Sequence, residues 1–126
     1  MIAKTATETA SFARPYRLYP SARSAFKSLL AALDFSPGET ILLPAYVGWS
    51  AKEGSGVFDP IAELNLPHDF YRVDAALRID LDDLERRLRT GRVKVLVLIH
   101  YFGYVDPHYR QAVEAARRSG AWVVED

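Results

Sequence analysis

The stretch YRLYPSARSAFKSLLAALDFSPGETILLPAYVGW, running from Tyr16 to Trp49, decides the fold. Its aromatic start, Tyr16 to Tyr19, predicts a short strand leading into Pro20-Ser21-Ala22-Arg23-Ser24, where a helix opens. From there apolar residues fall at Ala22, Ala25, Phe26, Leu29, Leu30 and Leu33, with Arg23, Lys27, Ser28 and Asp34 on the other side. That spacing is the stripe of an amphipathic helix. Ser36-Pro37-Gly38 stops it, and Thr40-Ile41-Leu42-Leu43 reads as a buried strand ending at Pro44-Ala45-Tyr46. A helix entered from a strand leaves its first backbone N–H groups directed above the sheet, which makes the turn at Ser21 a candidate anion site.

Working outward, the same alternation continues. Residues 50 to 66 predict a helix interrupted by Gly54-Ser55-Gly56, and Phe70-Tyr71-Arg72-Val73 predicts a strand. Asp80 caps a further helix that turns Leu84 and Leu88 inward and ends at Gly91. The pairs Asp82/Arg86, Asp83/Arg87 and Glu85/Arg89 place a carboxylate one turn before each guanidinium, the pattern of a solvated helical face. Val93-Lys94-Val95-Leu96-Val97-Leu98-Ile99 is apolar almost throughout, as expected of a strand covered on both faces. Asp106-Pro107 begins the last helix with Asp106 as its cap, Gly120 ends it, and Ala121-Trp122-Val123-Val124 is the final strand. The reading is an α/β fold in three layers, a mostly parallel sheet with helices on both faces. Residues 1–14, small and polar without period, read as an N-terminal arm.

Composition narrows the function. The 126 residues are 49% hydrophobic and 25% charged, with 16 Lys+Arg against 16 Asp+Glu. A balanced charge gives no bulk attraction to nucleic acid or to an anionic membrane. No cysteine is present, which excludes disulfides, thiolate metal sites and a cysteine nucleophile and fits a cytoplasmic protein. The N-terminus lacks the apolar core of a signal peptide. His68, His100 and His108 have no metal-ligand spacing with neighbouring carboxylates, and neither the dinucleotide nor the P-loop fingerprint occurs.

In an open parallel sheet ligands bind beyond the carboxyl ends of the strands. The segments there are Pro44 to Trp49, Asp74, His100 to Gly103 and Asp126. Each has an ordinary structural explanation: a hydrogen-bonded histidine, edge aromatics, a solvated terminal carboxylate. Their order along the chain is more informative. Pro20-Ser21-Ala22-Arg23-Ser24-Ala25, Pro37-Gly38-Glu39-Thr40-Ile41-Leu42-Leu43-Pro44-Ala45-Tyr46, His100-Tyr101-Phe102-Gly103 and Trp122-Val123-Val124-Glu125-Asp126 together resemble the DegT/DnrJ/StrS family of sugar aminotransferases. The resemblance extends from Tyr16 to Asp126.

That resemblance implies the type I aminotransferase fold, with residues 15–126 as part of its large domain, and pyridoxal 5′-phosphate as cofactor. It implies transfer of an amino group, with glutamate as donor, to a nucleotide-linked keto-sugar in a cytoplasmic homo-oligomer. Ala22 and Arg23 match the positions that receive the cofactor phosphate, and Asp126 matches the carboxylate that faces the pyridine nitrogen. The position that stacks an aromatic ring on the cofactor falls at Gly48, so Trp49 is the candidate here. His100 and Tyr101 are implied near the pocket. The family's Schiff-base lysine lies downstream of the Asp126 position, and Lys4, Lys27, Lys52 and Lys94 do not match it. The polypeptide is therefore expected to be an N-terminal part of such an enzyme, inactive alone, with the strand at Trp122 left as an edge that promotes association. Two rivals stand beside this reading: a small flavodoxin-like binding module, and a non-catalytic subunit that pairs with another chain.

Overall fold

The computed structural model describes residues 15–126, so the predicted arm at 1–14 lies outside the described residues. The elements are α1 (Ala22–Ala32), β1 (Thr40–Pro44), α2 (Phe58–Glu63), β2 (His68–Tyr71), α3 (Leu81–Leu88), β3 (Val93–Leu98), a one-turn 3-10 helix at Tyr101–Gly103, α4 (Tyr109–Ser119) and β4 (Trp122–Glu125). The four strands form one sheet in the order β2-β1-β3-β4, and every pair is parallel. Ile41 lies opposite His68 on one side and Val95 on the other, and Val95 lies opposite Trp122.

Handedness explains which helix covers which face. The step from β1 to β2 runs in one direction across the sheet, and the steps from β2 to β3 and β3 to β4 run in the other. Right-handed crossovers then place α2 on one face and both α3 and α4 on the opposite face. The packing agrees. Ile41, Leu43, Val95 and Val97 meet Leu30 of α1 and Ile61 of α2. Leu42, Leu96 and Leu98 meet Leu84 and Leu88 of α3 and Ala112 and Ala116 of α4. Successive residues of β1 and β3 therefore enter different cores, which is why both strands are apolar without alternation. Each such aliphatic side chain contributes about 1.5–3 kcal/mol on burial.

Several local expectations are corrected. Tyr16 to Tyr19 is not a strand but an irregular entry segment, since the sheet has no position for it on either side of β1. The helix expected across residues 50–66 forms only after the glycines, as α2, because Gly54 adopts φ +67° inside a turn closed by Ser50 and Gly54. The second strand pairs two residues earlier than its aromatic run suggests, at His68–Tyr71, because Arg72 and Val73 leave the ladder for the turn that closes at Ile79. Asp106 is not the cap of α4, whose capping position is His108. Its carboxylate instead accepts the Ile79 N–H at 2.8 Å and the His108 N–H at 2.6 Å, and joins two loops.

The charged face of α3 is the largest correction. Asp83 is buried, 1% exposed. It accepts the Arg72 N–H at 2.8 Å and Arg87 Nε at 2.9 Å, and Arg86 bonds its other oxygen. Glu85 reaches across to Arg118 of α4 at 3.4 Å. The expected Asp83/Arg87 pair thus exists, but as a structural tie between β2 and α3 rather than as solvated decoration. Burial pushes the Asp83 carboxyl up, yet the Arg72 N–H and the Arg87 and Arg86 guanidinium groups outweigh it and hold the pKa below the ordinary carboxylate value. A folded-state pKa below the unfolded one contributes stability above the unfolded value, near pH 4, and that contribution disappears as pH falls through the folded value. Asp83→Ala is expected to cost about 3 kcal/mol, because it leaves charged and N–H groups without their buried partner. Urea unfolding from pH 7 down to pH 3 checks both points: the wild type should lose its advantage over the variant on the acid side.

Candidate functional site

The carboxyl edge of the sheet carries the groups with chemical potential. α1 begins at Ser21, whose extended backbone and side chain cap the helix: Ser21 Oγ accepts the Ser24 N–H at 3.1 Å and the Ser21 carbonyl accepts the Ala25 N–H at 3.0 Å. In a helix the first N–H groups have no intrahelical acceptor, and here those are the groups of Ala22 and Arg23. At the other end of the same edge the β3–β4 ladder runs one step past β4. The Asp126 N–H donates to Leu98 and the His100 N–H donates to Asp126, both at 2.9 Å. Strand alternation puts Asp126 on the face of Val124, which belongs to the α1 core.

These ends meet. A cavity of about 290 Å³ lies between α1 and the ends of β3 and β4, lined by Ala22, Arg23, Phe26, Val97, Val124 and Asp126, with Gly56 and Val57 closing it from the loop before α2. Its walls are apolar, its two ends polar. Ala22 and Arg23 from the start of α1, and Asp126 from the end of β4, are among its lining residues.

Arg23 is not a free cation. One nitrogen donates to the Glu53 carbonyl, and Nη1 lies 3.7 Å from Asp59 Oδ2. Asp59 is itself fixed by the Ser55 N–H at 2.9 Å, and Ser55 Oγ accepts the Phe58 N–H at 3.0 Å. The loop packs so closely that a Cβ on Gly54 would lie 2.2 Å from Asp59 Oδ2.

Trp49 and His100 are not brought to this cavity. Trp49 is 70% exposed at the mouth of the turn bridged by Ser50 and Gly54. His100 is turned toward α4: its Nε2 lies 3.0 Å from Glu125 Oε2, and Tyr109 donates to Glu125 Oε1 at 2.8 Å. His100 and Tyr109 hold the Glu125 carboxyl below its usual pKa, while the bond to Glu125 raises that of the Tyr109 hydroxyl. The strand order reverses between β1 and β3, and Tyr101 fills that crevice, donating to the Tyr46 carbonyl at 2.5 Å with the rings edge-on at 5.7 Å. Burial, with Tyr46 beside it, pushes the Tyr101 hydroxyl up to about 12. None of Lys27, Lys52 or Lys94 lines the cavity; Lys27 pairs with Glu63 and Lys94 with Glu39. Sequence reasoning missed Asp59, Glu125 and Tyr109. Asp59 precedes a proline and reads as a helix start, and nothing local connects it to a residue 36 positions earlier.

Comparison with known proteins bears on this geometry. No family model and no curated protein matches the chain. Solved structures do. The chain is similar to the sugar aminotransferase CalS13 from Micromonospora echinospora at 24% identity and TM-score 0.60, covering 83% of this chain and 28% of that one. It is similar to S. venezuelae DesV in complex with a ketimine intermediate at 20% identity and TM-score 0.64, covering 83% and 26%. It is also similar to the PLP-bound C–S lyase from Staphylococcus hominis at 10% identity and TM-score 0.65, covering 82% and 27%. The fold is part of the type I aminotransferase fold. The chain spans about a quarter of the length of these structures. Among the described residues no helix is long and apolar enough to cross a membrane.

The Gly54 contact is testable on its own. Gly54→Ala should lower stability by about 1–3 kcal/mol through its positive φ and its clash with the Asp59 carboxylate. Urea titration should show a lower midpoint with an unchanged slope.

Proposed function

We propose that residues 15–126 form the cofactor-holding part of the large domain of a pyridoxal phosphate-dependent aminotransferase of the nucleotide-sugar type. The observation that carries this reading is the single cavity containing Ala22, Arg23 and Asp126. The residues fit the group. Pyridoxal phosphate has an anionic ester at one pole, a basic ring nitrogen at the other and a flat apolar ring between them. The cavity offers donors, a carboxylate and apolar walls of Phe26, Val97 and Val124 in that order. When bound, the cofactor supplies an electron-poor ring that accepts charge from a substrate carbon.

In this reading the chain's own residues bind and orient. The N–H groups of Ala22 and Arg23 take the phosphate oxygens, as helix N-termini do. The Asp126 carboxylate holds a proton on the ring nitrogen by a charge-assisted hydrogen bond. The ladder bonds to Leu98 and His100 fix the height of Asp126, and the Glu125–His100–Tyr109 cluster braces that ladder from the other face. His100 and Trp49 are given no contact with the cofactor. The amino acceptor in the whole enzyme is proposed to be a nucleotide-linked keto-sugar, the donor glutamate, and the assembly a homo-oligomer. The similarity to the sugar aminotransferase CalS13 supports the choice of a sugar acceptor. The flavodoxin-like and non-catalytic readings gain nothing from the comparisons.

Calorimetric titration of the chain with pyridoxal phosphate, pyridoxal and inorganic phosphate tests the proposal. Pyridoxal phosphate should bind at least about tenfold more tightly than either partial ligand, since one charge-assisted contact carries about 1.5–3 kcal/mol. Asp126→Asn should weaken pyridoxal phosphate by about tenfold and leave inorganic phosphate unchanged. Equal affinities for all three ligands would sink the reading.

A further inference from the structure

Arg23 lines the cavity with its charge already engaged by the Glu53 carbonyl and Asp59. The 3.7 Å approach of Nη1 to Asp59 Oδ2 is too long for a hydrogen bond. Asp59 therefore offsets the cation without occupying the donor fork. Both side chains are partly exposed, 40% for Arg23 and 30% for Asp59, and ion pairs in such surroundings are weak. The two partners are not equally held. Asp59 is fixed by the Ser55 N–H at 2.9 Å and by its packing against Gly54, and Ser55 is buried at 2% exposure. Arg23 is held at its tip by the Glu53 carbonyl alone besides this pair. An anion arriving at the first turn of α1 offers the guanidinium two or three charged oxygens at once, a better partner than a single distant carboxylate.

We propose that Asp59 is a built-in competitor for the ligand anion: it holds Arg23 aside, releases it to an incoming phosphate group, and thereby sets the affinity of the cavity. Asp59 is a positioning residue, acting on the ligand through Arg23. The inference rests on the cavity being a phosphate pocket, and it deepens that reading by naming what tunes the pocket. The loop at residues 50–59 explains itself on this basis. Its turn bonds, from Glu53 N–H to Ser50 Oγ and between Ser50 and Gly54, present two acceptors, the Glu53 carbonyl and the Asp59 carboxylate, to one guanidinium.

The test is a double-mutant cycle read by binding of inorganic phosphate, with pyridoxal phosphate titrated in parallel. Asp59→Asn keeps an oxygen for the Ser55 N–H but removes the charge. It should raise phosphate affinity about five-fold, the upper range for a partly exposed pair. Arg23→Gln should lower affinity about tenfold. In the Arg23→Gln background, Asp59→Asn should change affinity by less than about two-fold, because the competitor has nothing to release. An increase of the same size in both backgrounds would mean a general charge effect and would overturn the proposal. So would a decrease or no change in the single variant. If Asp59→Asn unfolds, the wild-type Arg23 Nε–Hε resonance serves instead: it should shift as phosphate saturates the protein, and an unmoved signal overturns the proposal. Phosphate binding that follows the cycle, with pyridoxal phosphate no tighter than phosphate, would keep Asp59 as competitor and reject the cofactor. Tight pyridoxal phosphate binding with an inert Asp59→Asn would do the reverse. Absence of all anion binding overturns both.

Discussion

Everything in this molecule depends on β1 and β3 lying side by side with both of their faces buried. Leu42, Leu96 and Leu98 enter one core while Ile41, Leu43, Val95 and Val97 enter the other. A strand pair apolar on both sides must be covered on both sides, and right-handed crossovers leave one economical arrangement of the three connecting helices. With that arrangement fixed, every strand points the same way and every carboxyl end opens on one edge. The start of α1 is held over that edge by Leu30 and Phe26. Asp126 arrives there because β4 extends the sheet on the far side of β3. The meeting of a helix start and a strand end is thus a consequence of the core.

Polar ties then hold the loops to this frame. Asp83 joins the exit of β2 to α3, Asp106 joins the loops after Ile79 and Val105, and Lys94 ties β3 to Glu39 ahead of β1 at 2.7 Å. Each carboxylate receives backbone or side-chain donors, so burial does not leave a charge unpaired. At the carboxyl edge the same device serves a different end. Both Glu125 and Asp126 line the cavity, but the Glu125 carboxylate is engaged by His100 and Tyr109. The Glu125 carboxylate thus braces the end of the sheet beside Asp126.

What was legible in the sequence follows from this division. Periodicity exposes residues whose environment is set by their own element, so α1, α3, α4, β1, β3 and β4 were readable within a residue or two. The glycine turn before α2 and the aromatic run at Tyr16 misled because tertiary pairing, not local pattern, decided them. The i,i+4 charges of α3 were visible, but Asp83 was buried by contacts from β2 and from Arg72, which no helical wheel contains. Ala22, Arg23 and Asp126, named from the family resemblance, line one cavity. Trp49 and His100, named from the same resemblance, do not line it; a position at a strand end fixes the edge a residue occupies but not the face to which its side chain turns.

The structural neighbours that share this frame differ in chemistry. A sugar aminotransferase and a C–S lyase are similar to this chain to nearly the same degree by TM-score, although identity falls from 24% to 10%. A frame that tolerates such different chemistries does not choose the reaction. That choice lies in the few side chains that project into the cavity from the frame. Here Arg23 carries its own counter-charge in Asp59, while Asp126 is exposed and held by the ladder to β3. On the proposed reading, a ligand that is anionic at one end and basic at the other would satisfy both groups, its anion displacing one ion pair and its cation forming another. A ligand with only one of those charges leaves either Arg23 still claimed by Asp59 or Asp126 without a partner. On that reading the selectivity of the cavity lies in Arg23 and Asp126 acting together.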